Sequence, residues 1–397
     1  MKVAYSKKII TPVDSMLLGG YDVNGRYSTG IHDDIYCRTM LLEDNNQLYC
    51  FTTFDLLCLN DNFINRTKEL CNEYGIKNNN VFAAAIHTHS APLGCGAIFG
   101  METVFGRYDD KYVNHCLDLF NSTLKECFEE LFETEVRVSF TRIKGICSER
   151  HDKSFFSDDR LWKIEFYNKE KKSIIFNYSC HPTVMHEDNT LISADFVGET
   201  ERELEKVYDF SMFYNGSAGD VSTRFTRQKS GFEEVERIGK DLAEQILNNE
   251  EIVVYEGKEL IRNVKKLELE LETVDKDHLN SYEDFCNRES NVINRNNCKY
   301  ARIINSNVNG KIKLDVSIIE LVNGLKIVTI PSEIYSGLTK ELTDSNKCMI
   351  FSYTNGYNLY IPNKAAYERF YYEAAVTLLK KGEAEKLVTF IKREISL

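Results

Sequence analysis

A chain of 397 residues with 61 acidic against 49 basic side chains carries a formal charge of −12 and shows no Lys/Arg-dense tract, so it has no basic face for a polynucleotide. With 43% apolar and 28% charged residues it reads as a globular protein able to bury a sizeable core. No apolar run approaches the ~18 residues of a membrane span, and the opening "MKVAYSKKIITPVDSM" lacks the apolar centre of a secretory signal. A cytoplasmic location is therefore expected. Reduced thiols are expected with it, since the 12 cysteines are dispersed and form no C-x-x-C pair.

Along the chain, short uncharged runs alternate with helical patterns. "QLYCFTTFDLLCL", "VFAAAI", "SIIFNYSC", "FSMFYNG", "LKIVTI" and "CMIFSYTNG" read as strands buried on both faces. Between them, "NDNFINRTKELCNEYG", "DDKYVNHCLDLFNSTLKECFEELF", "GETERELEKVY" and "EEVERIGKDLAEQIL" read as helices, and the C-terminal "AAYERFYYEAAVTLLKKGEAEKLVTFIKREI" as one long helix. Alternation of this kind predicts an α/β fold, a mixed β-sheet core layered with helices. "KKLELELETV" alternates as a half-exposed strand, and Asn323-Gly324 between two strand-like runs signals a hairpin. Residues 255–330 are thus expected to form an antiparallel addition. With only 5 prolines and no Gly/Ser-rich linker, residues 1–397 read as a single domain with a possible subdomain at 255–320.

Five polar clusters each follow a strand candidate. His87-Thr88-His89-Ser90 follows "VFAAAI", and His181-Pro182-Thr183 follows "SIIFNYSC". Asp220-Val221-Ser222 follows the "FSMFYNG" run, Ser332-Glu333 follows "LKIVTI", and Tyr357 to Tyr360 follows "CMIFSYTNG". In α/β sheets sites gather beyond the carboxyl ends of strands, so the clusters are expected to converge on one cleft. His87, His181 and Glu333 together form a His-His-Glu set suited to a catalytic zinc. Each has a blander reading. A strand-end histidine is more often structural than a ligand, Glu333 is expected to cap a helix, and Ser222 and Tyr360 fit a turn and a core. The pair His87 and His89 is the sharper signal, since side chains two apart on a strand share a face. His186 suits the site less well than His181, and Asp195 is expected either to cap the following helix or to support the site from behind.

This series resembles the neutral/alkaline non-lysosomal ceramidase family, zinc amidases that cleave the N-acyl bond of ceramide. The likeness runs through "IITPV", "GGYD", "IHTHSAP", "CHPTV", "SADFVG", "NGSAGDVS", "IPSEIYSGLTKEL" and "YTNGYNLYIPNKAAYERFYYEAA", covering most of the chain. It implies zinc ligation by His87, His181, Glu333 and Tyr360. It also implies substrate contacts from His89 and Arg150, and catalytic roles for Asp220, Ser222 and Tyr357. The departures are "GDVSTR" for the family's "GDVSPN", which introduces Thr223 and Arg224, and Ser332 for a glycine. A short bacterial-type member without the family's C-terminal immunoglobulin-like domain is expected. Arg224 raises the expectation of a substrate carrying a carboxylate.

The function expected is hydrolysis of an N-acyl amide, ceramide or a relative, by water activated on Zn2+ with Asp220 as general base. Ser222 is expected to orient the amide; "GDVS" lacks the G-x-S-x-G elbow of a serine nucleophile. The alternatives are a metal-dependent amidohydrolase acting on a small non-lipid amide and a non-catalytic binding protein on the same scaffold. The partner expected is a small-molecule or lipid amide, with no nucleic acid and no membrane-spanning segment. Nothing in the sequence speaks to oligomeric state.

Overall fold

The computed structural model describes residues 1–21, 26–96, 101, 107–289 and 291–396. The architecture is a mixed α/β fold, and three sheets carry it. The first runs in the order Val81–Ala85, Gln47–Phe54, Tyr36–Asp44, Lys2–Ile9, Phe132–Glu133. The second runs Phe210–Asn215, Lys172–Tyr178, Arg160–Tyr167, Glu135–Arg142, Glu251–Gly257, and the third Ile261–Glu272, Lys311–Leu321, Lys326–Ile330, Cys348–Ser352.

Each sheet is antiparallel throughout except for one parallel pair at an edge. A parallel pair needs a crossover, and a helix supplies each one: Asp61–Glu73, Asp195–Leu204 and Ser336–Thr343. The first of these helices starts at Asn60, whose side chain accepts the Phe63 N–H.

The three parallel edges meet. Tyr214 Oη donates to Phe82 O at 2.6 Å, Asn177 Nδ2 to Ile350 O at 2.9 Å, and Asn355 N to Ala83 O at 2.7 Å. Phe82, Tyr214 and Phe351 are fully buried at this seam, and Tyr214 stacks on Phe351 at 4.3 Å. Burying each such ring contributes roughly 1.5–3 kcal/mol. The five clusters read from sequence all leave the carboxyl ends of strands at this junction, which is why they converge.

The antiparallel addition is present, with Ile261–Glu272 paired to Lys311–Leu321 from Ile261↔Leu321 to Glu272↔Lys311. Its hairpin turns at Asn323 and Gly324, whose φ values of 57° and 76° suit the mirror-image turn that Asn-Gly favours. The polar stretch between the two long strands holds helices Lys276–Arg288 and Val292–Asn307. Asp275 and Asn291 cap them, a signal hidden by the asparagine-rich composition.

Two expectations are corrected. The long C-terminal helix is three pieces, Lys364–Glu368, Tyr372–Ala375 and Glu383–Ser396. Phe370 and Gly382 take φ of 53° and 97°, and the β-branched Thr377 between them bridges back to Leu359 and Tyr360. Thr377 Oγ1 donates to Tyr360 O at 2.8 Å, so the break secures a site residue. The thiols are not all reduced, because Cys286 and Cys298 form a disulfide between the two inserted helices while ten cysteines are free. Among the described residues no helix is long and apolar enough to cross a membrane.

Candidate metal centre

The strand Val81–Ala85 ends before His87, so His87 and His89 share a loop rather than a strand face. His87 takes φ of +74°, an uncommon conformation for a bulky residue that a surrounding structure must hold in place. Its N–H bonds Leu56 O at 3.0 Å, and its Nδ1 donates to Leu57 O at 2.8 Å. His181 is fixed in the same way. Its N–H bonds Val221 O at 2.9 Å, which sets it beside Ser222, and its Nδ1 donates to Ala218 O at 2.5 Å. With Nδ1 donating to a backbone carbonyl, each imidazole turns its Nε2 toward the other, the arrangement of metal-ligating histidines.

Glu333 meets them. Its Oε2 lies 2.9 Å from His181 Nε2 and 3.2 Å from His87 Nε2. Rather than capping the next helix, Glu333 occupies a two-residue strand opposite Tyr360, which fixes the two side chains relative to each other. Tyr360 Oη is 3.5 Å from His181 Nε2, and Tyr357 Oη donates to Glu333 Oε1. The whole group is buried, with His87, His181 and Glu333 each 1% exposed.

His89 completes a triangle, the ring nitrogens of His87, His89 and His181 lying within 4.8 Å of one another. Neither nitrogen of His89 has a hydrogen-bond partner among the described residues. Gly20 gives its ring room: a Cβ at Gly20 would stand 2.2 Å from His89 Cγ, and φ there is +90°. Tyr21 meets the ring edge-on at 4.9 Å, and Arg26 Nη2 donates to His89 O at 2.8 Å.

These donors fit a divalent cation. Burial, then His87 and His181, hold the His89 pKa well below its ordinary value, and burial holds His181 down at about 4 although Glu333 opposes it. Burial raises the Glu333 carboxyl, but His87 and His181 outweigh it and keep it well below the carboxylate range. Glu333 Oε2 lies 2.9 Å from His181 Nε2 and 3.2 Å from His87 Nε2 in a site closed to solvent. His87 Nε2 is a buried polar atom without a hydrogen bond among the described residues. Two imidazole nitrogens and a carboxylate oxygen converging in a buried site form a donor set that a divalent cation can occupy, and imidazole with carboxylate suits zinc.

A model of the family described as neutral/alkaline non-lysosomal ceramidase, N-terminal, matches residues 4–231. The chain belongs to this family. A neutral ceramidase of Drosophila melanogaster is 24% identical over 256 residues, covering 56% of this chain and 36% of that protein, so the match spans about a third of the curated relative. The neutral ceramidase of Pseudomonas aeruginosa superposes with a TM-score of 0.74 at 16% identity, over 98% of this chain and 73% of that one. A solved ceramidase in complex with C2 gives the same TM-score at 14% identity, over 99% and 75%. These structures share the fold.

The remaining predicted residues line the wall beside the cluster. Ser222 pairs with Ser148 in a short antiparallel ladder, and its Oγ accepts the Arg224 N–H at 3.3 Å. Arg150 N donates to Asp220 O at 2.7 Å, while its guanidinium pairs with buried Glu373 and lies 5.3 Å from the Tyr360 ring centroid. Asp220 Oδ1 accepts Ser336 N at 2.7 Å, so that oxygen faces the turn after Glu333 rather than the histidines. Burial pushes its carboxyl up to about 7. Asp195 begins its helix at φ +55° and accepts N–H groups of Val184, Met185 and Phe196, bracing the loop after His181. His186 is exposed.

Sequence reasoning missed Tyr353, stacked on His87 at 4.2 Å, and Glu373, the counter-charge of Arg150. Tyr353 follows a strand as the other candidates do. Nothing in the local sequence marks Glu373. Gly20 and Tyr21 lay in the quoted "GGYD" without an assigned role.

Proposed function

We propose that this protein is a zinc-dependent amidase that hydrolyses the N-acyl amide bond of ceramide or a related N-acyl amide. The observation that carries the reading is the meeting of His87 Nε2, His181 Nε2 and Glu333 Oε2 within 3.2 Å in a buried site. His87, His181 and Glu333 would hold the metal, with Tyr360 as a further oxygen donor. When bound, zinc supplies Lewis-acid polarisation of the amide carbonyl and a water acidic enough to attack at neutral pH.

The chain's own groups do the rest. Leu57 O and Ala218 O keep the two imidazoles in one tautomer, and Tyr357 steadies the far oxygen of Glu333. His89, with both ring nitrogens free, is placed to hydrogen-bond the substrate amide. Ser222 Oγ meets no imidazole or carboxylate among the described residues, which favours orienting the amide over nucleophilic attack. Arg150, held by Glu373 against Tyr360, adds positive charge where carbonyl oxygen charge develops. Asp220, with one oxygen committed to Ser336, acts by fixing the Glu333 turn; its other oxygen is the general base candidate.

The test is hydrolysis of a short-chain ceramide and of N-acyl ethanolamines by purified protein, with and without added zinc. Release of fatty acid that stops on chelation and returns with zinc is expected. Release unchanged by chelation would contradict the metal-centred reading.

A further inference from the structure

Positive charge collects on the rim of the site, in the turn that follows Ser222. Arg224 is exposed and donates through Nη1 to Arg150 O at 3.2 Å. Arg227 Nη1 donates to Thr183 O at 2.6 Å, two residues past His181. Burial, then the charges of Arg150 and Arg227, press the Arg224 pKa down. Burial, then Arg150, Arg224 and Arg369, drive the neighbouring His151 down to about 3.

No carboxylate pairs with Arg224 or Arg227 among the described residues, in a chain with a surplus of 12 negative charges. The acids nearby are committed elsewhere. Glu373 holds Arg150 and His151, Glu149 accepts the His151 and Asp152 N–H groups, and Asp220 accepts Ser336 N. Glu187 and Asp188 are exposed near His186 and bond neither arginine. Tyr21 meets the His89 ring edge-on at 4.9 Å. The two arginines are thus tied to the segments that carry Arg150 and His181, beside the donor cluster. Like charges gathered this way repel, and an anion arriving with the substrate would relieve them.

We propose that Arg224, with Arg227 behind it, receives a carboxylate on the amine portion of the substrate, so that the preferred substrates are N-acyl amino acids. This deepens the amidase reading above and depends on it. An alkyl chain gains nothing from a guanidinium wall, which assigns the rim to the amine portion. Water adds across the C–N bond, giving a fatty acid carboxylate and a free amino acid whose nitrogen takes up the proton.

The experiment compares N-lauroylglycine with N-lauroylethanolamine, which shares its acyl chain and nearly its size but lacks the charge, on zinc-supplied protein. kcat/KM is measured for both in wild type, Arg224→Gln and Arg224→Lys. Wild type is expected to favour the glycine conjugate about tenfold, through KM, the scale of one charge-assisted hydrogen bond partly open to water. Arg224→Gln should erase that ratio, Arg224→Lys should retain part of it, and raised salt should shrink it. A wild type that favours the neutral amide, or a ratio unmoved by Arg224→Gln, overturns the proposal. Hydrolysis of the ethanolamide alone would overturn this proposal and leave the amidase reading standing. Hydrolysis of neither would overturn both.

Discussion

In the donor cluster three side chains are tied from behind: His87 to Leu57 O, His181 to Ala218 O, Glu333 to Tyr357 and, by strand register, to Tyr360. On the rim, the Arg224 and Arg227 guanidiniums hydrogen-bond backbone carbonyls and pair with no carboxylate among the described residues. The cluster is fixed before anything binds, as a site holding a metal must be. The rim is left short of partners, as a surface that meets a variable substrate can be. On the proposed reading, chemistry and specificity sit on different parts of the fold, one on backbone anchored by three sheets and the other on a turn.

That contrast can be broken at its strong end first. His181→Ala removes a nitrogen that the cluster has no means to replace, so hydrolysis should fall on the order of a thousandfold or more, with loss of bound zinc. Activity assay beside metal analysis checks it; full activity would end the distinction. Next, Tyr357→Phe leaves the ligands in place but frees Glu333 Oε1. Zinc affinity should fall about 10–100-fold, measured by competition with a chelator.

Gly20→Ala tests whether His89 is also anchored. The added methyl would overlap the His89 ring at a φ of +90°, so stability should drop by about 1–2 kcal/mol and His89 should shift. Thermal unfolding together with turnover would show it; an unchanged Tm with unchanged turnover would mean that His89 has room to spare.

The last effect is read against pH and concerns Asp220. Burial raises its carboxyl from 3.8 to about 7, so ionising it costs more in the fold than in the unfolded chain. Its contribution to stability is full below the ordinary carboxylate range and is lost as pH rises through about 7. Asp220→Asn removes that loss. The Tm of the variant relative to wild type should therefore climb between pH 5 and pH 8, and a flat difference would deny the raised pKa.

Much of this was legible in the sequence. Buried strands betrayed themselves as uncharged runs, and the polar clusters after them marked the site, because a residue leaving the end of a parallel strand cannot avoid the junction where the strands meet. Asn323-Gly324 announced its hairpin through backbone preference alone. What stayed hidden depends on contacts between distant segments. The C-terminal pattern has helical periodicity, and only the bond from Thr377 to Tyr360 explains why it breaks. The loop geometry of His87, with its positive φ, and the pairing of Glu373 with Arg150 are likewise set by tertiary structure. The helices Lys276–Arg288 and Val292–Asn307 escaped notice because their sequences are largely polar, with few buried positions to show a stripe.

The most direct test of the central claim is metal stoichiometry by mass spectrometry on the purified chain, beside His87→Ala and Glu333→Gln. The account predicts about one zinc per chain in the wild type and a large loss in both variants. A wild type that takes up no metal from a zinc-supplied buffer, or variants that keep the wild-type content, would contradict it.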